Sequence, residues 1–209
     1  GVEGTPLSPE APDPRLPEGT AFLASVAVPS AFTGDALGTG LVNACRIACP
    51  SRMVVSDDYL AATGAAWNGR AGVAILAGRP AGPSPLLPIE DLIARLGIVV
   101  AAGFGAQTPD VLPLLHAATG APVPEEAVPG RGTLALPQVR GLKLSVASSP
   151  GVAVGVTGRD PASVADEVAA GARDGLAAAL TSSKEPVVLS LVADPDLLMV
   201  AAGGIPIEF

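Results

Sequence analysis

The chain has few of the side chains that usually carry chemistry. Of its 209 residues only 3% are aromatic, His116 is the single histidine, and Cys45 and Cys49 are the only cysteines. One histidine and one CxxxC pair cannot supply a tetrahedral zinc set, so a structural zinc site is excluded. If Cys45 and Cys49 share a helix they stand one turn apart and lean the same way, a geometry poor for a disulfide. They read as two small buried hydrophobes in a reducing compartment.

Basic clusters are also missing. Lys143 and Lys184 are the only lysines, the arginines are scattered, and the net charge is −8. Binding to a nucleic-acid backbone has no electrostatic footing here. The longest near-continuous apolar stretch, Leu96 to Ala106, is about half the length a membrane helix needs. Residues 1–19 lack the apolar run of a signal peptide, and the absent Met leaves a removed leader or anchor open. The expectation is a soluble, cytoplasmic protein with no nucleic-acid and no membrane partner.

What is abundant is small and apolar. Hydrophobic residues make up 49% of the chain and charged residues 15%, with 25 Gly and 22 Pro, and the mean hydropathy is +0.49. A core of Ala, Val, Leu and Ile with close approach at Gly follows. So much apolar surface with so little charge also suggests a homo-oligomer.

Along the chain, residues 1–19 form a Pro-rich arm or linker. The globular domain is expected over 20–209, as one unit or as lobes 20–120 and 133–209. Strand patterns fall at Ala21–Val28, Arg52–Val55, Gly72–Ala77, Ile98–Gly103, Leu142–Ala147, Val152–Val156 and Val187–Ala193. Helix patterns fall at Gly34–Ala48 capped by Thr33, Tyr59–Trp67 capped by Asp57 or Asp58, Ile89–Leu96, and a helix capped by Asp110 with Pro113 in its first turn and ended by Gly120. The longest, Pro161–Leu180, places Val164, Val168, Ala172, Leu176 and Leu180 on one face. Leu197–Ala201 and Ile205–Phe209 are further apolar segments. The alternation predicts an α/β or α+β fold, with mixed sheets covered by helices. Gly72-Val73-Ala74-Ile75 before Gly78-Arg79-Pro80, and Gly151-Val152-Ala153-Val154 before Gly158-Arg159-Asp160-Pro161, fit either a duplicated β-turn-α unit or chance in an Ala/Gly-rich chain.

The leading site candidate is the turn after Ile98–Gly103. Gly103, Gly105, Gln107 and Thr108 follow a strand and precede a helix, where free backbone N–H groups and the helix dipole can hold an anion. Asp110 and His116 lie close in sequence. The dinucleotide fingerprint is incomplete, because Thr108 occupies the place of its third glycine and only Glu125-Glu126 stand near the expected acidic position. A plain βα turn is the competing reading. Thr33–Gly40 is a second Gly-rich helix start, read as packing through Gly38 and Gly40 with Asp35 on the dipole.

Ser148-Ser149 and Ser182-Ser183-Lys184 are the nucleophile options, without a G-x-S-x-G elbow and with turn and helix-end roles as alternatives. Asp57-Asp58 and Asp194-Pro195-Asp196 fit capping and turns as well as Mg²⁺ or shared-proton chemistry. Tyr59 and Trp67, eight apart, fit a pocket or the core. Two functions stay open: a small-molecule-binding α/β protein, as an enzyme or a binder of an anionic ligand, or a non-catalytic self-associating subunit. No cofactor is indicated.

Overall fold

The computed structural model describes residues 20–28, 33–49, 55–76, 97–136, 142–158, 161–171, 176–181 and 190–193. In chain order the elements are β1 (Thr20–Ala27), α1 (Asp35–Ala48), α2 (Asp57–Ala66), β2 (Trp67–Leu76), β3 (Gly97–Phe104), α3 (Leu112–Thr119), β4 (Arg131–Ala135), β5 (Lys143–Ser149), β6 (Val152–Gly158), α4 (Pro161–Ala169), α5 (Leu176–Thr181) and β7 (Ser190–Ala193). The seven strands form one sheet in the order β4-β5-β6-β3-β2-β1-β7. Every neighbouring pair is antiparallel. The fold is therefore α+β, with the first three strands side by side in a single sheet and later strands on both sides of them.

Strand register divides the sheet into two unlike faces. Leu23, Ala74, Val99, Val156, Ser145 and Thr133 lie side by side across six strands. Above this row sit α4 and α5, which contribute Ala165, Val168, Leu176, Ala177 and Leu180 to one buried cluster with it. Gly72 is what lets α5 come so close: a Cβ there would stand 2.8 Å from the carbonyl and side chain of Leu180. One residue along each strand, Ala24, Val73, Val100, Gly155, Val146 and Gly132 point the other way. There α3 covers one corner, packing Leu112 and Leu115 against Phe104, Val146 and Ala153. Val100, in the middle of the row, is 50% exposed.

The first two helices make a third small cluster around Val42, Cys45, Leu60 and Ala117. Their contact is backbone on backbone, since a Cβ at Gly38 would lie 2.5 Å from the Ala61 carbonyl and one at Gly64 2.7 Å from the Gly38 Cα. The packing role expected of Gly38 is thus met, while nothing lies within 4 Å of a Cβ built on Gly40.

Several expectations need correction. The helix expected over Pro161–Leu180 is two helices, because Gly171 adopts φ 75, a left-handed conformation that ends the first one. Their apolar positions stay in phase: Val164 and Val168 before the break, and Leu176 and Leu180 after it, join one cluster. Trp67 opens β2 at φ −67, ψ 129, so it does not share a helix with Tyr59. Ser56 caps α2, accepting from the Tyr59 N–H at 3.1 Å, in place of Asp57 or Asp58. Gly34, at φ 67, takes the cap position of α1 in place of Thr33. β4 is a strand no apolar run announced; its residues RGTLA occupy a sheet edge, where little burial is required.

The cysteines are bonded. Cys45 and Cys49 form a disulfide with Cα atoms 4.7 Å apart. The geometric objection fails because Cys49 has left the helix, sitting at its C-cap with φ −83, ψ 115. The arm at 1–19, the helix expected at 89–96, most of the strand expected at 52–55, Lys184, Asp194, Asp196 and the segments after 193 lie outside the described residues. No helix among the described residues is long and apolar enough to cross a membrane.

Candidate functional site

Two Pro-Gly turns and the end of β3 meet at one corner of the sheet. Pro150-Gly151 joins β5 to β6, with Gly151 at φ 87. Pro129-Gly130 precedes β4, with Gly130 at φ 73. Val128 and Arg131 exchange backbone hydrogen bonds of 3.0 and 2.9 Å around that second turn. Proline presets φ at the first turn position and glycine accepts the positive φ at the next, so each dipeptide specifies its own reversal.

The glycine-rich segment after β3 ties these turns together. The Phe104 N–H donates to the Gly151 carbonyl at 2.7 Å, and the Gly105 N–H to the Ala66 carbonyl at 3.2 Å. The Thr108 hydroxyl donates to the Ser149 carbonyl at 2.7 Å and accepts from the Gly151 N–H at 2.9 Å. Asp110 does the same for the other turn: its Oδ1 accepts from the Gly130 N–H at 2.9 Å and from the Leu112 N–H at 3.1 Å. The carboxylate thus caps α3, as expected, although the N-cap position itself is Val111. Tyr59 reaches in from α2 and donates its hydroxyl to the Asp110 carbonyl at 2.5 Å. Burial pushes the Tyr59 phenol above its ordinary 10.0, and the Asp110 charge pushes the same way, against hydrogen bonds from Thr63 and the Leu114 backbone.

Between the turns lies an open cavity of about 290 Å³, lined by Thr108, Asp110, Pro129, Gly130, Ser148, Ser149 and Pro150. Asp110 is the one charged side chain among these lining residues. The Ser149 hydroxyl is committed to the Ala169 carbonyl at 2.8 Å. The Ser148 hydroxyl is buried and has no hydrogen-bond partner among the described residues. Such a group costs on the order of 1–3 kcal/mol, which a ligand or a water can return. A Cβ on Gly130 would stand 3.2 Å from that hydroxyl, so the glycine also keeps the wall thin.

The residues singled out from sequence separate in space. Thr108 lines the cavity. Gly105 and Gln107 are exposed on the turn. Gly103 is buried beneath it and makes room for Asn68, whose amide would stand 2.7 Å from a Cβ there. That amide donates to the Phe104 carbonyl at 3.3 Å and accepts from the Arg70 N–H at 3.0 Å, fixing a bulge near the start of β2. His116 is not among the cavity-lining residues; its Nδ1 lies 2.5 Å from the Ala121 carbonyl at the end of α3. Pro129, Gly130 and Pro150 were missed as site residues, and the signal that marks them is the repeated Pro-Gly dipeptide. No three His, Cys, Asp or Glu side chains among the described residues converge as metal ligands. Comparison with known proteins returns no match: no protein family, no curated protein and no solved structure resembles the chain.

Proposed function

We propose that the corner cavity binds a small polar molecule, held by hydrogen bonds to Ser148 and Asp110. The observation that carries this reading is the buried, unpartnered Ser148 hydroxyl beside a carboxylate in a cavity built on two fixed turns. The sequence pointed to an anionic ligand. The local chemistry favours a hydroxyl- or amine-bearing one, because an anion would face Asp110 while the Phe104 and Gly105 N–H groups are already bonded. Thr108 serves by fixing the wall, and Gly103, Gly105 and Gln107 by shaping the turn. Nothing in the site assigns a reaction, and the reading is of binding.

A thermal-shift screen of polyols, primary amines, organic acids and nucleotides tests it. Amines or polyols should raise Tm, and the shift should vanish in Ser148→Ala and shrink in Asp110→Asn; saturation at about 100 times Kd corresponds to about 2.7 kcal/mol. A protein that answers to no class, or a Ser148→Ala variant with an unchanged shift, defeats the proposal.

The second reading is self-association, which the low charge and an open sheet edge at β4 favour. With a net charge of −8, neither nucleic acid nor an anionic membrane surface fits as a partner. The disulfide between Cys45 and Cys49 argues for an oxidising compartment over the cytoplasm that the sequence suggested.

A further inference from the structure

Among the described residues β4 ends the sheet, and its outer edge is open there in a specific pattern. The Leu136 N–H donates to the Leu142 carbonyl at 3.0 Å, so the alternating ladder turns the backbone groups of Leu134 and Gly132 towards β5. Those of Arg131, Thr133 and Ala135 therefore face outward. Arg131 spends its pair on Val128. Thr133 and Ala135 have no backbone partner among the described residues beyond β5. Arg131–Ala135 itself holds neither a proline nor a bulge, and its register with β5 is unbroken. Pro129 and Pro137 flank it in sequence and Val128 covers Arg131, so the free edge is Thr133–Ala135.

Charge is distributed unequally along this edge. At its Arg131 end, exposed Glu125 and Glu126 occupy the preceding turn, and Arg131 itself is bound to Asp166. At its Ala135 end stands exposed Lys143, the residue opposite Ala135 on β5. A cavity of about 240 Å³, lined in part by Glu126, Arg131, Thr133, Ser145 and Asp166, opens beside the acidic end, with Glu126 as its carboxylate not paired to Arg131.

We infer that two copies of this chain join through their β4 edges, antiparallel about a two-fold axis at Leu134. This register pairs Thr133 with Ala135 of the second copy, and only outward-facing residues are used. It also lays the basic end of each edge against the acidic end of the other; parallel pairing would set like against like. Lys143 of the second copy then falls in the row of Thr133 and Ser145 and on the same face. It lies two strand spacings, about 10 Å, from Thr133, within reach of the acidic cavity. The inference rests on the self-association reading and is independent of ligand binding.

Sedimentation equilibrium on the full chain decides it. The wild type should dimerise, more weakly as salt rises. Ala135→Pro removes an outward N–H and leaves the β5 ladder intact, so it should weaken the dimer at least about tenfold with an unchanged circular dichroism spectrum. Ala135→Asp serves if the proline variant does not fold. Lys143→Glu should weaken the dimer, and adding Glu125→Lys and Glu126→Lys should restore it. A monomer at every concentration overturns both the inference and the self-association reading. A dimer indifferent to Ala135→Pro, Ala135→Asp and Lys143→Glu overturns the β4 interface alone.

Discussion

The two faces of the sheet are built from the same strands and differ in almost everything else. On one, Val99 and Ala74 are fully buried under α4 and α5; on the other, Val100 is half exposed. Adjacent residues in one strand thus have opposite environments, which is the period of two acting on a sheet that α4 and α5 cover directly on one side. Apolar sequence on both faces does not require cover on both faces. The buried face supplies most of the folding drive. Among the described residues the barer one takes α3 at a corner, the corner where the two Pro-Gly turns frame the cavity.

The contrast is broken most forcefully from the buried side. Leu180 is fully buried between α5 and the sheet, so Leu180→Ala should cost about 2–5 kcal/mol in urea unfolding. Next in size is the clip on α1. Cys49→Ser removes a short-loop disulfide worth about 2 kcal/mol, and the same loss should appear when the wild type is melted in reductant. Val100→Thr, on the barer face, should stay within about 0.5 kcal/mol of wild type by the same urea assay.

The mildest test is a pH titration. Because the folded Tyr59 phenol titrates above the unfolded one, its contribution is intact below pH 10.0 and is lost as pH rises through the folded value. Tyr59→Phe should therefore flatten the alkaline loss of stability seen by urea unfolding. An unaltered slope would remove Tyr59 as its source.

How far the sequence foretold this molecule depended on whether the signal was local. The strand Ile98–Gly103, the stop at Gly120 and the turn at Pro150-Gly151 are each specified by a few neighbouring residues, and each stands where expected. The long helix breaks at Gly171, a local signal hidden by a face whose apolar residues continue in phase. β4 left no apolar run to read, because an edge strand needs little burial. The disulfide depended on where α1 ends, to the residue.

The site was half legible. A turn at the end of β3 follows from its glycines and Thr108. Its walls come from Ser148 and Gly130, which reach Thr108 and Asp110 only through strand pairing and hydrogen bonds between distant segments. Gly103, expected to help present backbone N–H groups to an anion, is buried and gives room to Asn68. His116 shared a helix with the site and not its corner.

The unequal faces are tested most directly by methyl NMR with a soluble paramagnetic agent. The account predicts strong relaxation of the Val100 methyls and protection of those of Val99, Val154 and Val156. Equal protection of Val99 and Val100 would contradict it.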